Sequence, residues 1–372
     1  MVTRVKDVIS LIEKLAPREY AMNWDNVGLQ VGSYEKEVKR LILCLDVTRE
    51  VLEEAIKEKV DLIIAHHPMI FSPLKSIVKE DYKGNLIHEA IGNNISIYAT
   101  HTNMDVTKGG LNDFVANKIE LQDISILDMT NSEKLYKIVV FIPEGYEDDI
   151  VNALAVAGAG HIGNYSHCSF RSDGVGTFKP LEGTTPFIGQ QGELEKVNEI
   201  RMETIVSQKN LNAAIDNMIR AHPYEEVAYD IFPLHLEGKK IGIGRFGRLK
   251  TPQNIEQLVR KLKTSFDLEQ IRYIKANDDE IQKVAIVNGS GADYIKLSQE
   301  KGCQCLITGD VKYHDAQTAK ELGISVIDAG HFETEIFFVQ LVEKYLKKEF
   351  HENNIEVDII VSDTKINPFN IL

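Results

Sequence analysis

Short apolar runs that end abruptly in polar residues constrain the fold of this chain most. Asp61–Ala65 (DLIIA) leads directly into His66, and Ile95–Thr100 (ISIYAT) leads directly into His101. Continuous apolar runs of this length are typical of parallel strands that are buried on both faces. A segment with the apolar spacing of a helix, Glu50–Val60, precedes the first run. This alternation of strands and helices predicts a parallel α/β sheet.

The last third of the chain repeats the pattern. Further buried strands are predicted at Lys283–Val287, Cys305–Thr308 and Ile324–Ile327. Phe332–Phe350 then has the spacing of one long amphipathic helix, and an earlier helix is predicted to start at Pro252. The same α/β style therefore occurs at both ends of the sequence.

The middle of the chain has a different character, because its segments follow the β-α-β-β-α-β order of a ferredoxin-like domain. We expect one α/β fold formed by residues 1–132 and 236–372, with an α+β domain inserted at residues 133–235. The two outer segments could form pseudo-symmetric halves, although their sequences are too dissimilar to establish a repeat.

The composition is acidic: 42 Lys and Arg residues against 56 Asp and Glu residues give the 372-residue chain a net charge of −14. This balance disfavours non-specific binding to nucleic acid or to an anionic membrane. No apolar run approaches the ~18 residues that cross a bilayer, and the four cysteines form no CxxC pair. We therefore expect a cytoplasmic protein with reduced thiols.

Side chains that commonly bind metals are concentrated after three of the predicted strands. They are His66, His67, His101, Asn103, Asp105, His331, Glu333 and Glu335. Ligands bind at the carboxyl ends of parallel strands, and two residues four apart on a helix share one face. A lone histidine at a strand end is more often structural, but three such clusters together predict a metal site.

The adjacent pair His66 and His67 favours two ions over one, because neighbouring residues of a strand point in different directions. Nitrogen and carboxylate ligands suit Zn, Mn, Fe, Co or Ni. Two such cations can activate a water molecule and stabilise the anion that forms as it attacks. The candidates for moving protons are His101, His314 and Glu333. The reaction class would be hydrolysis of a C–N, P–O or amide bond.

Two further features have more than one interpretation. His314 and Asp310 follow the strand Cys305–Thr308 and could support a ligand, contact a substrate or cap a helix. Trp24, the only tryptophan, lies in Asn23–Gly32 (NWDNVGLQVG). That segment could be a turn with Trp24 packed on the core, or a loop in which Trp24 stacks on a planar ring.

Five segments together resemble the NIF-three-like proteins, which are homologues of GTP cyclohydrolase type two with a dinuclear metal centre. The segments are Asn23–Gly32, Ile63–Pro68 (IIAHHP), His101–Asp113 (HTNMDVTKGGLND), Thr308–Ala316 (TGDVKYHDA) and Asp328–Glu335 (DAGHFETE). The resemblance implies two divalent ions per chain, most often zinc, and an additional pocket histidine at His101. The metal ligands that it implies, with Glu335 bridging both ions, are His66, His67, Asp105, His331 and Glu335.

The middle segment resembles the PII/CutA-like insert of longer family members, through Gly158–Phe170 and His222–Leu234. The family also implies a toroidal homohexamer and opening of the guanine ring of GTP with release of formate. No residue pattern identifies a guanine pocket. Three functions therefore stay open: a metal-dependent hydrolase of a nucleotide or another small molecule, a non-enzymatic metal-loaded ring that binds protein or nucleic acid, and a metal store.

Overall fold

The computed structural model describes residues 2–370. The strands are β1 Gly28–Val31, β2 Arg40–Cys44, β3 Leu62–Ala65, β4 Ser96–Ala99, β5 Gln122–Pro143, β6 Ser169–Phe178, β7 Glu195–Ser207, β8 Tyr229–Gln253, β9 Arg272–Ile274, β10 Ile281–Ser290, β11 Cys305–Gly309, β12 Ser325–Asp328 and β13 Asp358–Val361. The α-helices are α1 Val5–Leu15, α2 Arg49–Lys57, α3 Tyr82–Gly92, α4 Thr102–Val106, α5 Leu111–Lys118, α6 Glu147–Val156, α7 Gln208–Ala221, α8 Ile255–Phe266, α9 Ile295–Glu300, α10 Tyr313–Leu322, α11 His331–Glu335 and α12 Phe337–Asn353.

The chain divides into two compact units. The outer unit is formed by Met1–Thr130 with Ile241–Leu372, and the middle unit by Asn131–Lys240. The long strands β5 and β8 carry the chain from one unit into the other. The boundaries expected from the sequence, 132/133 and 235/236, fall within the same two strands.

Two sheets form the outer unit. The first has the order β1-β4-β3-β2-β13, in which all neighbours are parallel except the antiparallel pair of β1 and β4. In the second, β10, β11 and β12 are parallel, and β8 and β9 pair antiparallel at either side of them. The predicted mixed α/β class is confirmed.

The core of the outer unit lies between these sheets. Leu41 and Leu43 of β2 pack in the same cluster as Ile307 of β11, together with helices α1, α5, α8 and α12. Ile42, which points to the opposite face of its strand, packs instead with α2 and α3. Both faces of the strands are thus covered, and each fully buried Leu or Ile contributes about 1.5–3 kcal/mol. This explains the continuous apolar runs in the sequence.

Two helix predictions need correction. The segment Phe332–Phe350 is divided at Ile336 between α11 and α12, although the backbone angles of Ile336 remain α-helical. Pro252 does not start a helix, since it still belongs to β8 and α8 begins at Ile255. Asn254 caps α8: its side chain accepts a hydrogen bond from the Gln257 amide, which is the stronger start signal.

In the middle unit, β7 pairs antiparallel with β5 on one side and with β6 on the other. Helices α6 and α7 cover a core that includes Ile138, Val140 and Met202. Strand β6 lies in a stretch that is rich in Gly and Ser, where the predicted β-α-β-β-α-β order requires a strand but no residue pattern locates it. Most β6 side chains are exposed, so they lack the apolar alternation by which strands are predicted.

Candidate metal centre

The histidines and acids predicted at the strand ends come from both sheets of the outer unit. His66 and His67 follow β3, and Asp105 lies in the short helix α4 that follows β4. His331 and Glu335 begin and end helix α11, directly after β12 of the second sheet. Glu335 is buried, with 4% of its surface exposed, and its carboxylate meets the histidines of the other sheet.

Glu335 lies at the centre of the cluster. Its Oε2 is 2.8 Å from His67 Nε2 and 3.0 Å from His331 Nε2. Its Oε1 points the other way and is 3.9 Å from His66 Nε2. Oε2 therefore contacts His67 and His331, whereas Oε1 faces His66 without a hydrogen bond to it.

Each of the four clustered histidines makes a second contact through Nδ1. The acceptors are the Thr100 carbonyl for His66 (3.0 Å), Asp46 for His67 (2.8 Å), Asp25 for His101 (3.0 Å) and Asp310 for His331 (2.7 Å). An oxygen acceptor at Nδ1 favours the tautomer that carries its proton there, which leaves the Nε2 lone pair free for a metal. The sequence indicated Asp310 only as one option, placed Asp25 in a segment that could line the site, and did not point to Asp46.

Two buried atoms of the cluster accept no hydrogen bond. They are His66 Nε2 and Asp105 Oδ1, which lie 3.8 Å apart. Leaving a buried polar atom unsatisfied costs about 1–3 kcal/mol, and a bound cation would satisfy both. His66, His67 and His101 form one group whose ligand atoms all lie within 4.8 Å, and His67, His331 and Glu335 form another. The donors therefore fit a divalent metal.

The charges of the metal-free cluster are strongly perturbed. Burial raises the pKa of Asp105 to about 7, and the nearby charge of Glu335 adds to the effect. Burial alone would raise the pKa of Glu335 as well, but hydrogen bonds from His331 and His67 outweigh it and lower that pKa. Burial also lowers the pKa of His66 to about 3, which keeps that ring neutral as a ligand must be.

His67 and His331 behave differently because carboxylates surround them. Burial lowers the pKa of His67, but its hydrogen bonds with Asp46 and Glu335 prevail and raise it to about 10. The hydrogen bond with Glu335 raises the pKa of His331 to about 9. In the metal-free chain, protons on these rings balance the carboxylates, so a binding cation must displace them.

His101 and Trp24 form one edge of the cluster. Asp25 holds His101 and also accepts hydrogen bonds from the amide and the hydroxyl of Thr102. The Trp24 ring centroid lies 6.1 Å from that of His101, and 58% of the Trp24 surface is exposed. Trp24 is therefore not packed in the core, and of its two interpretations only the loop beside the site agrees with the structure.

The remaining candidates lie apart from the histidine rings. His314 is exposed, and its Nδ1 contacts Gln317 at 3.0 Å; no contact joins it to the cluster among residues 2–370. Glu333 accepts a hydrogen bond from Asn367 Nδ2 at 2.7 Å. Of the three side chains proposed to move protons, only His101 is grouped with the candidate ligands.

A cavity of about 630 Å³ opens beside His67 and His331. Its charged lining residues are Asp46, Asp310, Asp328, Glu333 and Arg272. The single guanidinium is already paired with Asp328. The four carboxylates of the lining are thus faced by Arg272 and by the His67 and His331 rings, which hold protons in the metal-free chain.

Together these features define an α/β protein whose sheets bring histidine and carboxylate side chains into groups that could hold a metal ion. A family model described as Duf34/NIF3 (NGG1p interacting factor 3) matches residues 3–368. The chain belongs to this family, which confirms the resemblance seen in its motifs. No helix among residues 2–370 is long and apolar enough to span a membrane.

Similar proteins cover the whole chain. A relative from Halalkalibacterium halodurans called GTP cyclohydrolase 1 type 2 homolog is 42% identical to this chain, over 98% of both chains. The Bacillus subtilis relative of the same name is also 42% identical, over 99% of this chain and 98% of its own. The crystal structure of a Bacillus cereus protein related to NIF3 matches with a TM-score of 0.93, 41% identity and full coverage of both chains.

Proposed function

We propose that this chain is a dinuclear metal-dependent hydrolase. The proposed ligands are His66, His67, Asp105, His331 and Glu335, which would hold two divalent ions, with zinc as the first candidate. The observation that carries the proposal is the position of Glu335, whose two oxygens face different ligand sets. His66 and Asp105 would share one ion with Oε1, and His67 and His331 would share the other with Oε2.

When bound, two such ions lower the pKa of a water molecule and stabilise negative charge on the substrate. The chain's own residues supply orientation and proton transfer. Burial lowers the pKa of His101, but its hydrogen bond with Asp25 prevails and raises that pKa above its usual value. His101 is thus held by Asp25 through Nδ1, and its Nε2 is free to accept or donate a proton beside the ions.

The substrate would enter the cavity beside His331. Ile271 and Phe332 give the cavity an apolar part, and its carboxylates could accept hydrogen bonds from a polar ring. The names of the relatives suggest GTP, whose guanine ring would open with release of formate. We therefore propose a small-molecule substrate, with GTP as the first compound to test and neutral heterocycles as the second class.

We further propose that Asn131–Lys240 is a PII/CutA-like domain inserted between two pseudo-symmetric halves. The middle unit has the strand and helix order of that fold class. In each outer sheet a block of parallel strands has an antiparallel strand beside it, which supports the halves. The alternative of a non-enzymatic metal-binding ring makes a different prediction: metal would bind without any turnover.

The decisive experiment combines metal analysis with turnover. Wild type should bind two ions per chain and hydrolyse at least one compound in a panel of GTP, guanosine and neutral heterocyclic amides. The His331→Ala variant should lose metal and activity together, because His331 contacts the Glu335 carboxylate. His351→Ala is the matched control, since that histidine is exposed at the end of α12. Equal residual rates for wild type and His331→Ala on every compound would exclude hydrolysis of this panel.

A further inference from the structure

We infer that the middle unit contains a second binding site, for a small organic cation with an aromatic or apolar body. The site is a cavity whose lining includes Glu199 and Tyr224. Tyr224 belongs to the segment His222–Glu226 (HPYEE). The cavity shares no residue with the candidate metal centre and does not depend on the proposed hydrolase activity.

The cavity has a volume of about 500 Å³ and is lined only by residues of the middle unit. Volumes of about 300–1,000 Å³ are usual for small-molecule sites. The end of β6, the loop that follows it, the start of β7 and the His222–Glu226 segment form the walls. A compound the size of a single substituted ring would fill much of this space.

Aromatic rings form one wall. The centroids of Phe178 and Phe187 lie 5.9 Å and 6.3 Å from that of Tyr224, and Tyr146 lies 5.7 Å from Phe187. Half of the Phe187 surface and 66% of Leu181 remain exposed at the mouth of the cavity. Aromatic faces attract cations as well as apolar groups, so these rings suit an organic cation.

A mostly buried carboxylate lies next to the aromatic wall. Glu199 is 8% exposed, and its Oε1 accepts a hydrogen bond from the Tyr224 hydroxyl at 3.0 Å. Within residues 2–370, no lysine, arginine or histidine nitrogen lies within 4.0 Å of it, and Oε2 accepts no hydrogen bond. Oε2 is not enclosed by the protein, so a ligand in the cavity can reach it. A cationic ligand would supply the missing partner.

Gly176 makes room for this carboxylate. A Cβ at residue 176 would overlap the Glu199 carboxylate. The backbone at Gly176 does not have a positive φ, so its conformation does not require glycine. The residue is needed because a larger side chain would collide with Glu199. The missing side chain at residue 176 thus leaves the space that the Glu199 carboxylate occupies beside the cavity.

The other charges favour a cation over an anion. Glu225 accepts two contacts from the Thr185 amide, at 3.0 Å and 3.1 Å, and so holds the loop over the cavity. Glu226 is exposed at the rim, and Lys179, also exposed, is the single basic residue of the lining. Three carboxylates against one ammonium group attract cations and repel carboxylates.

The test uses the full-length chain, with and without a chelator, and three probes of equal shape: benzylammonium, benzyl alcohol and benzoate. Calorimetric titration should show saturable binding of benzylammonium with a Kd below about 1 mM. Benzyl alcohol should bind about tenfold more weakly or worse, because it lacks the charge that pairs with Glu199. The chelator should not change these affinities, since the cavity contains none of the candidate metal ligands.

Two variants and a control decide the assignment. Glu199→Gln should weaken benzylammonium about tenfold, while Asp216→Asn, an exposed side chain on α7 that does not line the cavity, should change it less than about twofold. Phe187→Ala should weaken it about threefold; this side chain is half exposed, so the variant decides the question if Glu199→Gln fails to fold. Absence of saturable binding, equal binding of benzoate, or unchanged affinity in both Glu199→Gln and Phe187→Ala would overturn the inference.

Discussion

Replacement of Asp105 by Asn should change stability in opposite directions with and without metal. Asp105 is buried, and its Oδ1 has no hydrogen-bond partner. Burial, together with the charge of Glu335, raises its pKa from 3.8 to about 7 in the metal-free fold. The folded state therefore holds a proton on Asp105 over a pH range in which the unfolded chain has released it.

The sign of the pH dependence follows from this difference. Between about pH 4 and pH 7 the folded state binds more protons than the unfolded state, so the free energy of unfolding falls as the pH rises. At 1.36 kcal/mol per pKa unit, the loss from pH 5 to pH 8 is on the order of 3 kcal/mol. The amide of the Asp105→Asn variant cannot ionise, so the metal-free variant should lack this loss and be the more stable protein at pH 8.

With metal the order should reverse. The carboxylate of Asp105 would be a ligand beside His66, and an amide is a weaker ligand for a divalent ion. At a metal concentration 100 times the wild-type Kd, each bound ion stabilises the fold by about 2.7 kcal/mol. The Asp105→Asn variant should lose most of the stabilisation of about 2.7 kcal/mol that one bound ion provides.

Urea unfolding at pH 5, 6, 7 and 8, with and without a chelator, measures both effects. Asp216→Asn is the matched control, because that side chain lies on α7, outside the outer unit that holds the cluster, and it should follow wild type throughout. The reasoning is refuted if the metal-free Asp105→Asn variant loses stability with pH as steeply as wild type. It is also refuted if the variant retains the full stabilisation by metal.

Three further predictions concern the surroundings of the cluster and the core. Asp310→Asn should weaken metal binding about 10- to 100-fold, because Asp310 orients His331; competition with a chromogenic chelator measures this, and an unchanged affinity would contradict it. Co²⁺ loading should quench the fluorescence of Trp24, the only tryptophan, because its ring lies beside His101. Unchanged Trp24 fluorescence after Co²⁺ binding would show that the ions bind elsewhere. Leu43→Ala should lower the free energy of unfolding by about 2–5 kcal/mol, because Leu43 is fully buried between the sheets; a loss below about 1 kcal/mol in urea would contradict this packing.

Much of the fold could be predicted from local patterns. Strands β3 and β4 and the core of β11 were indicated by apolar runs, because burial on both faces leaves no polar positions in them. The middle strand β6 was not located for the opposite reason, since its side chains are mostly exposed. The long helix was predicted without the interruption at Ile336, because α11 and α12 share one apolar pattern.

The sequence by itself determined which residues end the strands, and therefore which residues could bind metal at a sheet edge. His331 and Glu335 needed nothing more, because a spacing of four places them on one face of a helix. Only the tertiary structure brought His67 within 2.8 Å of Glu335, which lies 268 residues away in the chain. It also selected Asp25, Asp46 and Asp310 as partners of the rings and left His314 in solvent. The physical reason is that strand and helix periodicity acts over a few residues, whereas the meeting of two sheet edges depends on how the helices between them pack.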